Sequence, residues 1–392
     1  MIPWRFLIFA GVLALILYLH FYLAHRQWRR LKGRPSLEID VTYVRMEDCL
    51  PQSFRLKVKE WLQLPALTVT GTERTILKGH ERIRATGPMA IGDRHESDAI
   101  WVVDGDFSCG SGCEFFREIY TRGSARIGHG SRLQSLAADG NAVLEDGVTA
   151  ARWLDSTGEM ILGTDCRVGA RVTSRTAVRL GMGCRVLSVF APRVSTPGSN
   201  GSPSSQDLPP PDDLVEIPPP DESSTAEQAL LDAGVDPKKV VRMSADSWHY
   251  AGDLTPSRPL RVGAKLIVKG RCHLPPRSAV RHDLKSDRSL HIGRGGFCEG
   301  NLVAGGDIYL APDCRFAAVV HAFGSLLISE GTRGAGKEAP VVAYAGDGIW
   351  VENNVVVCGK LASPGGVMVV DAAGAEDWRK RRKIQTSRLL RV

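Results

Sequence analysis

Aromatic side chains are scarce in this chain, at 7% of 392 residues, whereas 41 residues are glycine. A Gly-rich chain with few aromatic residues suits stacked short strands better than a helix bundle, because every coil of a solenoid needs several turns. Hydrophobic residues, at 43%, still provide enough apolar surface for a packed core. The composition therefore favours an all-β fold.

Common catalytic motifs are also missing. The sequence contains no Walker loop, dinucleotide fingerprint, nucleophile elbow or His-Glu-x-x-His motif. Their absence lowers the odds of catalysis without excluding it, and we expect no cofactor.

The nine cysteines are odd in number and scattered in spacing, which argues against a fully paired disulfide framework. Free thiols behave as small buried hydrophobes and suit a reducing compartment. Cys109 and Cys113 form a C-x3-C pair, but zinc would need two further ligands and only His95 is near. We interpret this segment as a Gly-rich turn. Turn chemistry also explains the acids near Gly105, which are Asp93, Asp104 and Asp106.

Positive charge is concentrated in two places. Five bases and no acid lie within 25–34, and seven bases and no acid lie within 379–391. Together these clusters carry +12, whereas the whole chain carries +7, so the rest of the chain nets about −5. We therefore expect no nucleic-acid-binding surface on the main body.

An uncharged apolar run at residues 6–23 predicts one transmembrane helix. At about 1.5 Å per residue, a run of this length just crosses a bilayer core of about 30 Å. Trp4, Tyr22 and Trp28 suit positions at the membrane–water interfaces. A cleaved signal peptide is the alternative, but here the basic cluster follows the apolar run and no A-x-A site comes after it.

The charges that flank this run predict its direction. Five bases follow it, against Arg5 and the amino terminus before it, so we expect the N-terminus outside and the body in the cytoplasm. The basic C-terminal cluster either touches anionic lipid or is a solvated, disordered tail, and the sequence leaves both open. The residues expected at the membrane surface are Arg26, Arg29, Arg30, Lys32, Arg34, Arg381, Arg382 and Lys383.

An internal repeat predicts the architecture of the body. In the second half, apolar residues recur every 18 positions, and the first half has the same period. Eighteen residues divide into three short strands and three corners, which gives a triangular parallel β-helix whose columns form apolar ladders inside it. The residues predicted to fill this core are Leu144, Leu162, Leu180, Leu274, Ile292, Leu310, Ile328, Leu284 and Leu302.

The register breaks at two places. Segment 331–340 is an insertion after Ile328, and the ladder resumes five residues late at Ile349 and Val351. Residues 195–225, rich in Pro, Ser and Asp, read as a disordered linker, which leaves open two tethered solenoids or one long solenoid with a surface excursion. The expected divisions are 6–23 membrane helix, 24–66 connector, 67–194 first solenoid half, 195–236 linker, 237–371 second half and 372–392 basic tail.

Segments 268–286 (VKGRCHLPPRSAVRHDLKS) and 296–314 (GFCEGNLVAGGDIYLAPDC) resemble the bactofilins, which are bacterial polymer-forming cytoskeletal proteins. The resemblance covers 250–370 and, more weakly, 122–192. It implies a right-handed β-helix, nucleotide-free head-to-head or tail-to-tail polymerisation, and attachment to the inner face of the bacterial membrane. This chain departs from the family in its two solenoid halves and its full transmembrane helix, and the duplication puts simple end-to-end filaments in doubt.

The alternative function is a hexapeptide-type acyltransferase or a carbohydrate-binding protein of envelope polysaccharide synthesis. Such acyltransferases are also 18-residue prisms, but they repeat a Leu/Ile/Val-Gly hexad on all three faces, whereas here the hexad is clear on one face. They also need a histidine base, and His129, His291 and His321 are conceivable but read better as surface or corner residues. Phe115, Phe116 and Tyr120 are expected to cap the start of the regular coils, with binding of a partner as the alternative.

We therefore expect a bactofilin-like scaffold, anchored by one span in the bacterial inner membrane with its body in the cytoplasm. Its expected partners are the membrane, further copies of itself and envelope-synthesis proteins. It is not expected to bind nucleic acid.

Overall fold

The computed structural model describes residues 49–64, 68–70, 73–78, 80–199, 215–217, 231–244, 247–336 and 339–389. These residues form a β-solenoid of about 14 turns with 18-residue coils, which confirms the predicted solenoid and its repeat. The predicted membrane segment 6–23 and the basic residues 26–34 lie outside the described residues. Among the helices that are described, none is long and apolar enough to cross a bilayer.

Each coil of the second half contributes one strand to each of three faces, and neighbouring coils pair in parallel. The strand Val356–Val369 completes all three faces. Face 1 contains Val215–Ile217, Leu260–Val262, Ala279–Val280, Phe297–Cys298, Arg315–Phe316 and Arg333–Gly334. Face 2 contains Ser247–Tyr250, Lys265–Val268, Leu284–Ser286, Leu302–Ala304, Val320–Ala322 and Val341–Ala345. Face 3 contains Cys272–Leu274, Leu290–Ile292, Ile308–Leu310, Ser325–Ile328 and Gly348–Val351.

The first half is built in the same way and ends in the strand Arg185–Ser195, which touches all three faces. Three of its strands bend from face 3 into face 2, and these are Glu114–Thr121, Arg132–Ala138 and Arg167–Ser174. Face 1 contains Met89–Ile91, Phe107–Cys109, Ala125–Ile127, Ala142–Leu144, Met160–Leu162 and Val178–Leu180. The remaining strands are Glu96–Ser97 and Thr149–Ala150 on face 3, and Glu81–Thr86, Ile100–Val103 and Trp153–Ser156 on face 2.

Antiparallel hairpins extend face 2 at the start of each half. Thr68–Thr70 pairs with Glu73–Lys78, which pairs with Glu81–Thr86. In the second half, Val240–Ser244 pairs with Ser247–Tyr250 and follows the short 3-10 helix Pro237–Lys239. Within the described residues, two long helices flank the solenoid. They are α1 (Cys49–Trp61) and α2 (Ala372–Leu389).

The apolar columns fill the interior. All nine residues predicted for the core lie inside the solenoid, with no more than 2% of each exposed. Stacking of neighbouring coils pairs Leu284 with Leu302 on face 2 and Ile292 with Leu310 on face 3, in the expected 18-residue register. The side chains point inward because alternate residues of each short strand face opposite sides of its sheet.

In eleven of the described coils, one corner carries a residue with left-handed backbone. This corner follows the Leu/Ile/Val-Gly hexad that the sequence shows on one face, and its φ lies between 55° and 75°. The next residue, such as Cys166 or Cys314, points back into the core. The left-handed residues are Arg94, Gly112, Gly130, Gly147, Asp165, Gly183, Arg277, Gly295, Asp313, Gly331 and Asn354.

The structure corrects the expected start of the regular coils in the first half. Regular coils begin at Glu81–Thr86, well before the FFREIYTR segment. Phe115 is a core residue and Tyr120 is buried, whereas the side chain of Phe116 is 56% exposed. These residues belong to a strand in the middle of the stack, so they do not cap it. The repeat is irregular here because one coil is a residue shorter, as in the pairing of Ile127 with Leu144.

The structure also describes parts of the insertion, the linker and the C-terminal segment. The late return of the ladder is present, since Ile328 pairs with Val351, and the extra residues lie between Gly334 and Val341. Inside the expected linker, Val215–Ile217 forms a strand on face 1. The expected basic tail forms α2, so residues 372–389 are helical rather than a disordered tail.

Candidate functional site

The two solenoid halves meet through their last coils. The strand Arg185–Ser195 pairs antiparallel with Val356–Val369, and we call this contact the joint. Val186 faces Val367 on face 3, Val189 faces Leu361 on face 2, and Val194 faces Val357 on face 1. The joint therefore closes the C-terminal edges of both halves, and the two halves form one stack whose chain direction reverses in the middle.

Residues beyond the paired strands reinforce the joint. The Thr196 hydroxyl donates to the carbonyl oxygen of Glu352 at 2.8 Å and accepts from the N–H of Val355 at 3.0 Å. The N–H of Asn354 donates to the carbonyl oxygen of Pro197 at 2.7 Å. Backbone groups around nearly the whole circumference are thereby satisfied, which is what a buried coil edge requires.

Helix α1 covers the outer side of face 2 in the first half. Phe54, Val58 and Trp61 have the i, i+4, i+7 spacing of one helical stripe and are buried against the solenoid. The Phe54 ring lies 5.6 Å from that of Trp153 in an edge-on arrangement. The stripe is a sequence signal for a helix within the segment 24–66, which is expected from the sequence only as a connector.

A buried ion pair fixes the position of α1. The Arg55 guanidinium donates to Asp139 at 2.7 Å and to Asp155 at 2.5 Å, and only 6% of the Asp155 side chain is exposed. Burial alone would lower the pKa of Arg55, but Asp155 and Asp139 outweigh it and raise that pKa. Burial, together with Asp139, raises the pKa of Tyr120 to about 12, and its hydroxyl donates to Asp139 at 2.5 Å.

Helix α2 covers face 3 of the second half. Ala375 and Trp378 are buried against Leu327, and the Trp378 ring lies 6.1 Å from that of Trp350. The Arg379 guanidinium donates to Glu352 at 2.9 Å and lies 5.4 Å from the centre of the Tyr309 ring. The helix thus docks through one apolar spot and one partly buried ion pair.

The outer column under α2 continues as a stack of rings. The centre of the His291 ring is 4.0 Å from that of His273 and 4.6 Å from that of Tyr309. Burial, with a smaller effect from His273, lowers the pKa of His291 to about 4. His291 is therefore neutral near pH 7 and serves as a stacking residue.

The basic residues predicted for the membrane surface are only partly described. Arg381 is exposed and pairs with Asp377 at 2.5 Å within α2. Arg382 and Lys383 lie within the helical range of α2. The others, Arg26, Arg29, Arg30, Lys32 and Arg34, lie outside the described residues.

The residues considered as metal ligands lie in the core or accept hydrogen bonds from a neighbouring coil. Cys109 and Cys113 are buried in the core, and burial raises the pKa of Cys109 to about 12. Asp93 and Asp106 accept the backbone N–H groups of Ser111 and Ser124 in the next coil, each at 2.8 Å. Within the described ranges, no group of three or more His, Cys, Asp and Glu side chains is placed to hold a metal ion.

The candidate histidines lie apart from one another. His129 is exposed at a corner of the first half, whereas His321 stacks on Phe323 in the second half at 4.6 Å between ring centres. Two shallow cavities, of about 590 and 610 Å³, open on face 1 of the first half, and neither is lined by a histidine.

Comparisons with known proteins find no match for this chain, whether with protein-family models, curated proteins or solved structures.

Proposed function

We propose that this protein is a membrane-anchored, bactofilin-like scaffold that associates end to end with further copies of itself. The observation that carries the proposal is the joint, where two coils of this solenoid already stack antiparallel through Val189 and Leu361. The open edge of a coil of this kind binds the edge of a similar coil through backbone hydrogen bonds and through contact between their apolar columns.

The first coil of each half supports further association. Val240–Ser244 is the outer strand of its hairpin, and 50% of Val241 and 63% of Met243 are exposed. At the other end, Met89–Ile91 pairs only with Phe107–Cys109 within the described residues. Because the joint occupies both C-terminal edges, self-association uses these N-terminal ends.

The membrane anchor in this proposal is the apolar segment 6–23, and the predicted orientation places the solenoid in the cytoplasm. Removing residues 6–23 should release the protein from the membrane fraction of bacteria that express it. Full retention of the shortened chain, at equal expression, would contradict the anchor.

Electron microscopy of the full chain in lipid nanodiscs tests the association. We expect ordered oligomers or filaments, whose formation is lost when Met243 is replaced by Lys on the outer strand. Single particles at high protein concentration would overturn the scaffold proposal. Binding of nucleotide sugars or acyl-CoA by those single particles would instead favour the alternative of an envelope-polysaccharide enzyme or carbohydrate-binding protein.

A further inference from the structure

The larger of the two cavities on face 1 lies against the joint. It has a volume of about 610 Å³, and its wall includes Thr196 and Pro197, which bond to the second half. Ile161 and Ala177 give it an apolar side. Sites that hold small molecules have volumes of about 300–1,000 Å³, so this cavity is of suitable size.

Two arginines line this cavity from neighbouring coils. Arg179 lies on the outer side of face 1, because the residues before and after it belong to the core. In the last coil, Arg193 and Ser195 alternate with the core residue Val194, and Ser195 pairs with Arg179. The two arginines are therefore on the same outer surface, one coil apart.

The lining of this cavity is positively charged. Glu159 is its acidic residue, and the carboxylate accepts the Nε–H of Arg179 at 2.5 Å. The terminal nitrogens of Arg179 make no hydrogen bond within the described residues, and 63% of the side chain is exposed. Two arginines and one glutamate give the lining a net charge of +1.

The cavity at the other end of face 1 provides a comparison. It has almost the same volume, about 590 Å³, but its charged residues are Arg126 and Asp106, which balance. Arg126 also donates through two nitrogens to Glu145, at 3.0 and 2.7 Å. Of the two cavities, the one at the joint is therefore the better site for an anion.

The two arginines suit a phosphate group. Guanidinium groups recognise phosphate oxygens through paired N–H bonds. A phosphate monoester carries about −1.5 to −2 near pH 7, so it can neutralise the lining while Glu159 stays in place. Ser195 lines the cavity beside Arg179 and can donate through its hydroxyl, and the apolar side of the cavity can contact a carbon skeleton.

We propose that the cavity at the joint binds a small, soluble phosphate monoester. Its phosphate lies between Arg179 and Arg193, and its carbon portion lies against Ile161 and Ala177. Because hydrogen bonds across the joint hold the cavity wall in place, a bound ligand favours the closed joint. This inference depends neither on self-association nor on the membrane anchor.

Calorimetric titration of the full chain with phenyl phosphate tests the proposal, with the protein in nanodiscs of zwitterionic lipid. We expect one site per chain, and binding of the uncharged benzyl alcohol should be at least tenfold weaker. Nanodiscs that contain phosphatidic acid should leave the affinity for phenyl phosphate unchanged. Competition by phosphatidic acid would assign the site to a lipid headgroup and would overturn the soluble ligand.

Variants test the roles of the charged residues. Arg179→Gln and Arg193→Gln should each weaken binding about tenfold, because each loses hydrogen bonds to a charged group. Glu159→Gln should strengthen binding, because Arg179 loses a competing carboxylate, and misfolding cannot produce such a gain. Arg126→Gln in the comparison cavity is the matched control and should leave the affinity unchanged.

The joint provides a second measurement. Bound phenyl phosphate should slow hydrogen exchange in Arg185–Ser195 and in its partner strand Val356–Val369. Unchanged exchange with a saturated site would overturn the effect on the joint. Absence of binding in the wild type, equal binding of benzyl alcohol, or full affinity in the variant with both Arg179→Gln and Arg193→Gln would overturn the phosphate site.

Discussion

The backbone N–H of Val369 donates to the carbonyl oxygen of Cys184 at 3.0 Å, across 185 positions of sequence. Gly183 returns the bond, since its N–H donates to the carbonyl oxygen of Val369 at 3.1 Å. These two bonds close one end of the joint, and Thr196 closes the other through Glu352 and Val355. The end coil of each half is therefore a contact surface, and its partner lies in the same chain.

Leu361→Asp should open the joint. Leu361 is 1% exposed and faces Val189, so the variant places an unpaired carboxylate in the buried, apolar interior of the joint. We expect a loss of about 3–5 kcal/mol at the joint. With a protease site inserted between residues 200 and 214, the cut wild-type halves should stay together in size-exclusion chromatography, and the cut variant should separate.

Ile161→Asp is the matched control, because Ile161 lies on the outer side of face 1 and is partly exposed. It adds the same charge to the outer side of the other half, and it should leave the cut halves together. If the cut wild-type halves separate, the linker rather than the joint holds the molecule together.

The solenoid could be predicted because its information is local and repeated. Leu274, Ile292, Leu310 and Ile328 recur at the coil length, and each occurrence supports the others. The joint could not be predicted in this way, because Arg185–Ser195 and Val356–Val369 have the same apolar pattern as the inner coils. The apolar pattern of an end coil is the same whether its edge binds another coil or faces water, so the pattern does not identify the partner.

The flanking helices show a second limit. The spacing of Phe54, Val58 and Trp61 is a local pattern that predicts a helix. The partners of Arg55 lie 84 and 100 positions away in the sequence, and no sequence pattern connects them with it. Helix α2 has few apolar residues, and its docking depends on Trp378 and the Arg379–Glu352 pair. The dense positive charge around them favoured a solvated tail or a lipid contact.

Arg55→Ala should detach α1 from the first half. The variant leaves Asp155 buried without its cation, which typically costs about 3–5 kcal/mol. Hydrogen exchange of residues 49–61 should become much faster, with little change in the inner coils. The exposed pair Lys78–Glu60 provides the control, since Lys78→Ala should cost less than about 1 kcal/mol. Equal exchange rates in the wild type and Arg55→Ala would contradict the anchoring role of Arg55.

The left-handed corner predicts opposite effects for two substitutions. Arg277 has a φ of 64° and Gly147 has a φ of 70°, at equivalent corners. Arg277→Gly should relieve backbone strain, and Gly147→Ala should introduce about 1 kcal/mol of it. An added Cβ at Gly147 meets its nearest neighbour at 3.7 Å, so crowding does not confound the result. Urea unfolding should show a higher midpoint for the first variant and a lower one for the second, and two shifts of the same sign would refute the argument.

The ring stack on face 3 predicts a loss of stability in acid. The pKa of His291 is about 4 in the folded protein, below the value of about 6.5 expected in the unfolded chain. Folding therefore favours the neutral ring, so its stabilising contribution is complete above about pH 6.5 and is lost as the pH falls towards 4. The melting temperature should fall across this window, and His291→Gln should reduce that fall because glutamine does not titrate. His249→Gln, at a histidine outside the stack, is the control. An equally steep fall in His291→Gln and wild type would show that other groups govern the acid response.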